Sequence, residues 1–504
     1  MALIDITPIV AEEELQYTLK NGRTILSTSA SNKFAYIVSR KPEDSQPTNG
    51  VGYTWDESGM AQLFAEVYQD EIKFCPEMKS WLTYDKGAWR VDAGAHLVSS
   101  KLSEFYQMMM LYCGEVEFGD LRTKFFKFVS KFGDRRFRDR LLKDASDNEL
   151  LSISATKFDA DPYLINCKNG TFDLKSMSFR KHNWRDLLTM QTNFDYTVRK
   201  VSCPRWEDFI NEVTEGDGDK AEYLQKAIGY SMLGVANEEC MFILHGKTTR
   251  NGKSTMLSAI DYLLGDYASV SPVSIICRPD RSRNAESANP VLASLKGKRF
   301  VSMAESNQYG KLDEETIKQL TGGEKITSRN LFEKPTTWLP QFTLWLSCND
   351  LPRVQDKSLF ASDRIRVVEF NRHFNPEEQD KTLKNVFRTK EAMQGIFAWM
   401  IDGYRKYLRD GLVMPSTMET VIRTYERAND IILQYLEERC AKSEGAVTES
   451  KALYTDYKWW CRSNGYHSCS SRKFISDMEA HPEWHGGRTV VNDLPVFRGI
   501  ILKG

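Results

Sequence analysis

Met241-Phe-Ile-Leu-His-Gly-Lys-Thr-Thr-Arg-Asn-Gly-Lys-Ser-Thr255 sets an apolar run against a glycine-bounded turn that ends in Gly252-Lys253-Ser254. A backbone that must approach a polyphosphate closely, and aim several N–H groups at it, needs glycine in such a turn. Lys253 is spaced to reach the β- and γ-phosphates, and Ser254 to offer its hydroxyl to Mg2+. The phosphates would rest on a helix N-terminus, where free N–H groups and the helix dipole favour negative charge. Phe242, Ile243 and Leu244 make the short run of a buried strand, and Leu257, Ile260 and Leu264 recur at helical spacing after the loop. Strand, phosphate loop and helix are therefore the expected local fold, against the alternative of an ordinary strand–turn–helix. Gly246, Thr249, Arg250, Asn251, Gly252, Lys253, Ser254 and Thr255 are the expected nucleotide-binding residues. Five residues separate Gly246 from Gly252, one more than in the usual loop.

Outward from this stretch, 504 residues leave room for two to four domains, and 41% hydrophobic with 27% charged residues is the balance of an ordinary soluble protein. No run of eighteen apolar residues occurs, so no membrane span is expected. Met1-Ala-Leu-Ile-Asp-Ile-Thr-Pro8 lacks the basic start and apolar core of a signal peptide. The ten cysteines are scattered without a Cys-x-x-Cys pair, which fits reduced, mostly buried thiols in a cytoplasm. A net charge of −1 does not advertise a nucleic-acid binder, so any such surface must be local.

Residues 1–50 are weakly patterned and end in a linker-like run from Arg40 to Gly50. From Trp55 to about Phe158 the pattern is mostly helical. Within it, Arg122, Lys124, Lys127, Lys131, Arg135, Arg136, Arg138, Arg140 and Lys143 interleave with Phe125, Phe126, Phe128, Phe132 and Phe137. Such a mixture either tracks a nucleic-acid backbone or forms amphipathic helices with a solvated basic face. Asn169-Gly170 between short apolar runs predicts a hairpin. From Cys240 to Phe370 short apolar strands, at 241–245, 299–304, 343–348 and 365–370, alternate with helices, the mark of an α/β domain. Residues 376–411 read as helices. The tail from about 416 reads as helices followed by a hairpin of Thr489-Val-Val491 and Phe497 to Leu502, which suits a winged-helix module. Cys461, His467, Cys469, His481 and His485 cluster there without the paired spacing of a zinc site. Asp159-x-Asp161 and Asp217-x-Asp219 superficially resemble metal pairs but lie in loop-like sequence.

ATP hydrolysis needs an acid for Mg2+ and water, a polar residue near the γ-phosphate, and a cation for transition-state charge. Arg299-Phe-Val-Ser-Met-Ala-Glu305 is an apolar strand ending in a carboxylate. Leu344-Trp-Leu-Ser-Cys-Asn349 is another ending in an amide. Ser362-Asp-Arg364-Ile-Arg366 puts two arginines at the start of a third.

Taken together these residues resemble superfamily 3 helicases, specifically the D5-type primase-helicase family of phages and plasmids. Asn251-Gly-Lys-Ser254 is similar to its Walker A core, and Glu305 falls at the Walker B acid. Asp313-Glu-Glu-Thr-Ile-Lys-Gln-Leu-Thr-Gly-Gly323 with Lys325-Ile-Thr-Ser-Arg329 looks like motif B′, and Trp345-Leu-Ser-Cys-Asn349-Asp-Leu-Pro352 like motif C. Asp363-Arg364 matches the arginine-finger position. Upstream, Phe158-Asp-Ala-Asp-Pro-Tyr163 and Asn169-Gly-Thr-Phe-Asp-Leu174 are similar to the family's N-terminal helicase-associated domain. Downstream, Leu453-Tyr-Thr-Asp-Tyr-Lys-Trp-Trp460 and Phe474 are similar to its C-terminal winged helix. Two departures stand out: Ala304 precedes Glu305 where two acids are common, and the phosphate loop is enlarged. About fifty residues precede the match, too few for the primase domain of many relatives.

The resemblance implies an α/β fold with an AAA+-like ATPase core at 205–415. A mostly helical domain at 51–204 would precede it, a winged helix at 416–504 would follow, and segment 1–50 has no assigned role. It implies ATP and Mg2+, with Lys253, Glu305, Asn349 and Arg364 catalytic and Ser254 and Glu305 holding the metal. It implies a homo-hexameric ring with nucleotide between subunits, 3′ to 5′ unwinding, and a channel hairpin in which Lys325, Arg329, Phe332 and Lys334 meet DNA. The DNA would be single-stranded, forked or origin duplex, a separate primase or polymerase a possible partner, and a bacterial host's cytoplasm the setting. The alternatives are an origin-binding initiator without processive unwinding and a non-helicase P-loop enzyme.

Overall fold

The computed structural model describes residues 29–40, 52–199, 201–277, 289–304, 311–329, 335–354 and 358–503. Contacts divide the chain into two compact units, residues 1–200 with 263–267 and residues 201–262 with 268–504. The expected linker falls, beyond Arg40, outside the described residues.

In the first unit, helix Glu57–Tyr68 starts where the Asp56 carboxylate accepts the Gly59 N–H at 2.8 Å. It buries Met60, Leu63, Phe64 and Val67 against helices Ser29–Arg40, His96–Tyr112, Asp120–Val129 and Arg135–Asp147. The interleaved segment at 122–143 resolves here. Phe125, Phe128, Phe132 and Phe137 all enter that core, while Phe126 stays half exposed. Rings recurring at helical spacing are drawn into the core by burial, and the cations remain on the solvated side. The segment thus has the amphipathic form, not a row of exposed rings.

Helices predominate within 55–158, but a small sheet that the sequence reading did not include lies among them. Strands Ile72–Cys75, Ser80–Asp85 and Ala88–Val91 form an antiparallel meander, with Cys75, Leu82 and Trp89 in a small core of their own. Lys86 and Gly87, with φ +47° and +85°, make the two-residue turn between the last two strands. The hairpin at Asn169-Gly170 forms as expected, Leu164–Cys167 pairing with Gly170–Asp173, and gains a third strand, Ser178–Arg180.

The second unit is built on five strands: β1 (Met241–His245), β2 (Ala268–Pro272), β3 (Phe300–Ala304), β4 (Thr343–Cys348) and β5 (Ile365–Glu369). They form one parallel sheet in the order β5-β1-β4-β3-β2. Every residue of β1 and β4 is buried. This explains their unbroken apolar runs, since a central parallel strand is covered on both faces. The sequence pointed to four of these strands. β2 was missed because Ala268-Ser-Val-Ser-Pro272 lies at the sheet edge, leaves Val270 72% exposed, and carries no apolar signature.

Helix Ser416–Asn429 packs on this sheet's core, with Tyr425 in the cluster, its ring 5.1 Å edge-on from Phe360 and its hydroxyl bonded to the Pro352 carbonyl. Packing changes at Asp430, which caps helix Ile431–Arg439 by accepting the Leu433 N–H at 3.0 Å. Strand Cys440–Glu449, helices Ser450–Ser463 and Ser471–Glu479, and strands Arg488–Val491 and Leu494–Leu502 follow. The three strands form an antiparallel sheet, and Tyr435, Leu453, Tyr457, Trp460, Phe474 and Phe497 share a separate core. The first of these strands was not anticipated, because its sequence is largely polar and exposed. No helix among the described residues is long and apolar enough to cross a membrane.

Candidate nucleotide site

β1 and β4 lie side by side with His245 opposite Cys348, and the Gly246 N–H donates to the Cys348 carbonyl at 3.2 Å. Their next residues, Gly246 and Asn349, therefore meet at the carboxyl edge of the sheet, where parallel α/β sheets take ligands. Lys253, 5% exposed, donates from Nζ to the Gly246 carbonyl at 3.0 Å and to Asn349 Oδ1 at 3.1 Å. The structure thus brings Lys253 and Asn349, nearly a hundred residues apart, into contact.

The loop between them is shaped by two left-handed residues, Arg250 (φ +59°) and Gly252 (φ +88°). A Cβ at Gly252 would come within 2.5 Å of Val213 Cγ1, so glycine is needed for space as well as for conformation. Asn251 turns inward and donates from Nδ2 to the Thr248 carbonyl at 2.7 Å. The enlarged loop is tied to the segment after β5. His373 Nδ1 donates to the Thr249 carbonyl at 2.9 Å, the Phe374 N–H to the Arg250 carbonyl at 3.0 Å, and the Arg250 guanidinium to the Gln379 side chain. These tethers were not read from sequence, because nothing in the pattern of 373–379 singles them out.

Helix Lys253–Leu264 starts at the loop, so its first-turn N–H groups face the same edge, with Ser254 exposed and Thr255 half-buried beside them. A buried ammonium, an exposed hydroxyl and a helix N-terminus on a sheet edge fit a nucleotide triphosphate and its Mg2+ chemically. β3, which leads to Glu305, ends at Ala304 opposite Ser347. Glu305 itself lies outside the described residues. Two further ionisable groups sit below the edge. Burial lowers the pKa of His245, with Glu369 at 3.8 Å opposing. Burial also pushes the Asp261 carboxyl up to about 7, against the Ser302 hydroxyl that donates to it at 2.7 Å.

Arg364 is placed at the other end of the sheet. Its carbonyl accepts the Met241 N–H at 2.8 Å, at the first residue of β1. Five residues of strand, at about 3.3 Å each, put roughly 16 Å between it and the phosphate loop. Arg364 instead donates to Glu239 Oε2 at 2.6 Å and Thr321 Oγ1 at 2.9 Å. Arg366 is 9% exposed and donates to the Asp363 carbonyl at 2.9 Å, packed within its own chain.

Helix Glu314–Thr321, capped by Asp313, leads through Gly322 and Gly323 into strand Ile326–Ser328, which pairs with Thr336–Trp338 as a two-stranded hairpin. Lys325 and Arg329 flank the first strand. Phe332 and Lys334 lie outside the described residues.

The other acidic pairs have local duties. Asp159 accepts the Thr189 N–H at 2.8 Å, Asp161 that of Tyr163 at 2.9 Å, and Asp217 that of Lys220 at 3.0 Å as a helix cap, with Asp219 in the helix's first turn. In the tail, His481 lies 3.0 Å from the Asp430 carboxylate and 3.1 Å from that of Glu483, while His485 donates from Nε2 to the Met478 carbonyl at 2.8 Å and accepts the Gly487 N–H on Nδ1 at 3.0 Å.

Three family models match the chain. "D5 N terminal like" covers residues 61–215, a family of unknown function (DUF5906) covers 244–364, and "Poxvirus D5 protein-like" covers 427–492. The middle match holds the phosphate loop, Asn349 and Arg364. A protein named as a candidate helicase, L207/L206 of Acanthamoeba polyphaga mimivirus, is 24% identical over 457 residues, covering 84% of this chain and 47% of that protein. Another so named, 022R of Frog virus 3, is 26% identical over 285 residues, covering 52% and 28%. The chain thus spans less than half the length of these relatives. Its fold is similar to the A-form apo structure of the NrS-1 C-terminal region, at a TM-score of 0.50 and 11% identity, covering 88% of this chain and 100% of that one.

Proposed function

The chain belongs to the D5-type primase-helicase family, and from that premise we propose that it is an ATP-driven DNA helicase of superfamily 3, acting in replication of a viral or other mobile genome. The observation that carries this reading is the contact of Lys253 with Asn349 at 3.1 Å, on the sheet edge where the loop and helix N-terminus converge. In this reading the loop N–H groups and Lys253 hold the β- and γ-phosphates, and Asn349 orients the attacking water. Glu305 takes up that water's proton. Ser254 and Glu305 would hold Mg2+, which when bound neutralises phosphate charge. The five-stranded parallel sheet supports an AAA+-like core.

Arg364, roughly 16 Å from its own loop by strand length, is suited to a neighbour's nucleotide, which supports a head-to-tail ring of the hexameric kind. The hairpin at 326–338 would present Lys325, Arg329, Phe332 and Lys334 to DNA in the channel, with 3′ to 5′ movement. The test is ATP-dependent unwinding of a forked duplex together with DNA-stimulated ATP hydrolysis. Hydrolysis with origin melting but no fork unwinding would favour the initiator. Hydrolysis indifferent to DNA would favour a non-helicase enzyme.

The tail supports a winged-helix reading through its order of helix, strand, two helices and two strands. Lys451, Arg462 and Arg472 are exposed there. Replacing all three by Ala in the full chain is expected to weaken duplex binding and lower the slope of log affinity against log salt by about 2–3, since each phosphate contact contributes about 0.9. DNA-free ATP hydrolysis should hold. A salt titration beside an ATPase assay checks this, and an unchanged slope would remove these cations from the DNA surface.

A further inference from the structure

Arg364 does not hang free at the end of the sheet. Two non-glycine residues in the left-handed region bracket its setting, Asp363 (φ +52°) just before it and Glu239 (φ +45°) on the turn before β1. Such conformations cost energy and persist where the surroundings fix them. Three acceptors meet one guanidinium there: Glu239 Oε2 at 2.6 Å, the Glu239 carbonyl at 3.4 Å and Thr321 Oγ1 at 2.9 Å. Only 16% of the Arg364 side chain is exposed, against 51% for Glu239, so the guanidinium is held and its carboxylate partner is wet.

Thr321 is the last residue of helix Glu314–Thr321, and its own hydroxyl donates back to the Ile317 carbonyl at 2.8 Å. After it come Gly322 and Gly323, the latter left-handed at φ +68°, and then the first strand of the hairpin. The Arg364–Thr321 bond is thus a fixed point just ahead of a glycine-bearing joint that leads to the hairpin.

We infer that Glu239 and Thr321 are positioning residues for Arg364, and that Thr321 ties its placement to the hairpin. This rests on Arg364 acting on a neighbour's nucleotide. With Arg364 on Glu239 and Thr321, the helix end is pinned and the finger is withheld. When Arg364 leaves for a γ-phosphate, the helix end loses that bond and the hairpin can shift. Linkage makes the effect reciprocal, so DNA on the hairpin favours release of Arg364 and nucleotide engagement alters the hold on DNA.

The test uses the full chain, with single-stranded oligo(dT) as the DNA probe. Glu239→Ala removes the withholding partner and should raise DNA-free ATP hydrolysis about two- to fivefold, the range a partly exposed ion pair is worth. Thr321→Val keeps the side chain's shape but removes the acceptor, and should lower the ratio of DNA-stimulated to DNA-free hydrolysis at least severalfold. Thr321→Ser should restore that ratio. The affinity change for oligo(dT) between nucleotide-free and ATP-analogue states should shrink in the Val variant by a comparable factor. A Val variant whose stimulated and DNA-free rates fall together, with an unchanged ratio, would show a merely structural role and overturn the proposal. So would a Glu239→Ala variant with lower DNA-free hydrolysis. If the unsubstituted protein neither hydrolyses ATP nor responds to DNA, the functional reading itself fails, and that result is distinct from either of these.

Discussion

Lys253→Ala is expected to abolish ATP hydrolysis, with kcat falling by at least about 10²–10³-fold, the scale on which a preorganised charge at a transition state is worth having. The Lys253 ammonium already has its bearings, at 3.0 Å from the Gly246 carbonyl and 3.1 Å from Asn349 Oδ1, in a buried position. Low dielectric strengthens what such a charge does for the β- and γ-phosphates, and no other cation of the loop is placed as Lys253 is: Arg250 is turned to Gln379. The substitution removes one donor from the buried Gly246 carbonyl and one from the half-buried Asn349 side chain, the former keeping only the longer bond from Asn251 Nδ2 at 3.5 Å, so a modestly lowered melting temperature with the fold retained is part of the expectation. Nucleotide binding, turnover and thermal midpoint measured together separate loss of chemistry from loss of fold. DNA binding should partly survive, because Lys325, Arg329 and the tail cations belong to other elements. Turnover within tenfold of the unsubstituted protein would remove Lys253 from the chemistry.

The elements legible in the sequence are those whose burial leaves an unbroken apolar signature. β1 and β4 are buried at every position, and Phe242-Ile-Leu244 and Leu344-Trp-Leu346 announce them. Edge elements carry no such mark. β2, the Cys440–Glu449 strand and the Ile72–Val91 meander alternate, or expose, enough polar residues to read as loop or helix. The same rule settles the Phe-rich segment at 122–143. Its composition fits two roles, and only packing shows that four of its rings are spent on the core. For the candidate site, residue types and order gave the loop and the strand-end polar residues. Which ones touch follows from register: His245 opposite Cys348 puts Gly246 beside Asn349. Register also separates Arg364 from the loop, a distance no motif spacing encodes. Long-range tethers such as His373 to Thr249, or Arg364 to Thr321, depend on where the chain returns in space, and local sequence carries no trace of them.

Arg364→Ala is expected to cost about 10³-fold or more in hydrolysis, as removal of an arginine finger does, and the loss should be reparable by a different defective subunit. The geometry supplies the reason. Parallel pairing of β5 with β1 fixes Arg364 at the amino edge of the sheet while the loop occupies the carboxyl edge, about 16 Å away at 3.3 Å per residue. An extended arginine side chain does not bridge that span within one subunit. In a head-to-tail ring, the amino edge of one subunit's sheet can face the carboxyl edge of the next. Arg364→Ala subunits retain the loop, and Lys253→Ala subunits retain the finger. Mixed at equal amounts, roughly one interface in four draws an intact loop from one and an intact finger from the other. Hydrolysis should therefore rise from near zero in each pure variant to a measurable fraction, up to about a quarter of the unsubstituted rate if interfaces act independently. Subunit exchange is verified separately by energy transfer between labelled variants. Exchange without recovery would argue against Arg364 in trans. Arg366 is a poor replacement, since its guanidinium is buried and held by the Asp363 carbonyl at 2.9 Å. In that event the transition-state cation would have to come from an element outside β5, and the phosphate loop's own Arg250, freed from Gln379, would be the residue to substitute next.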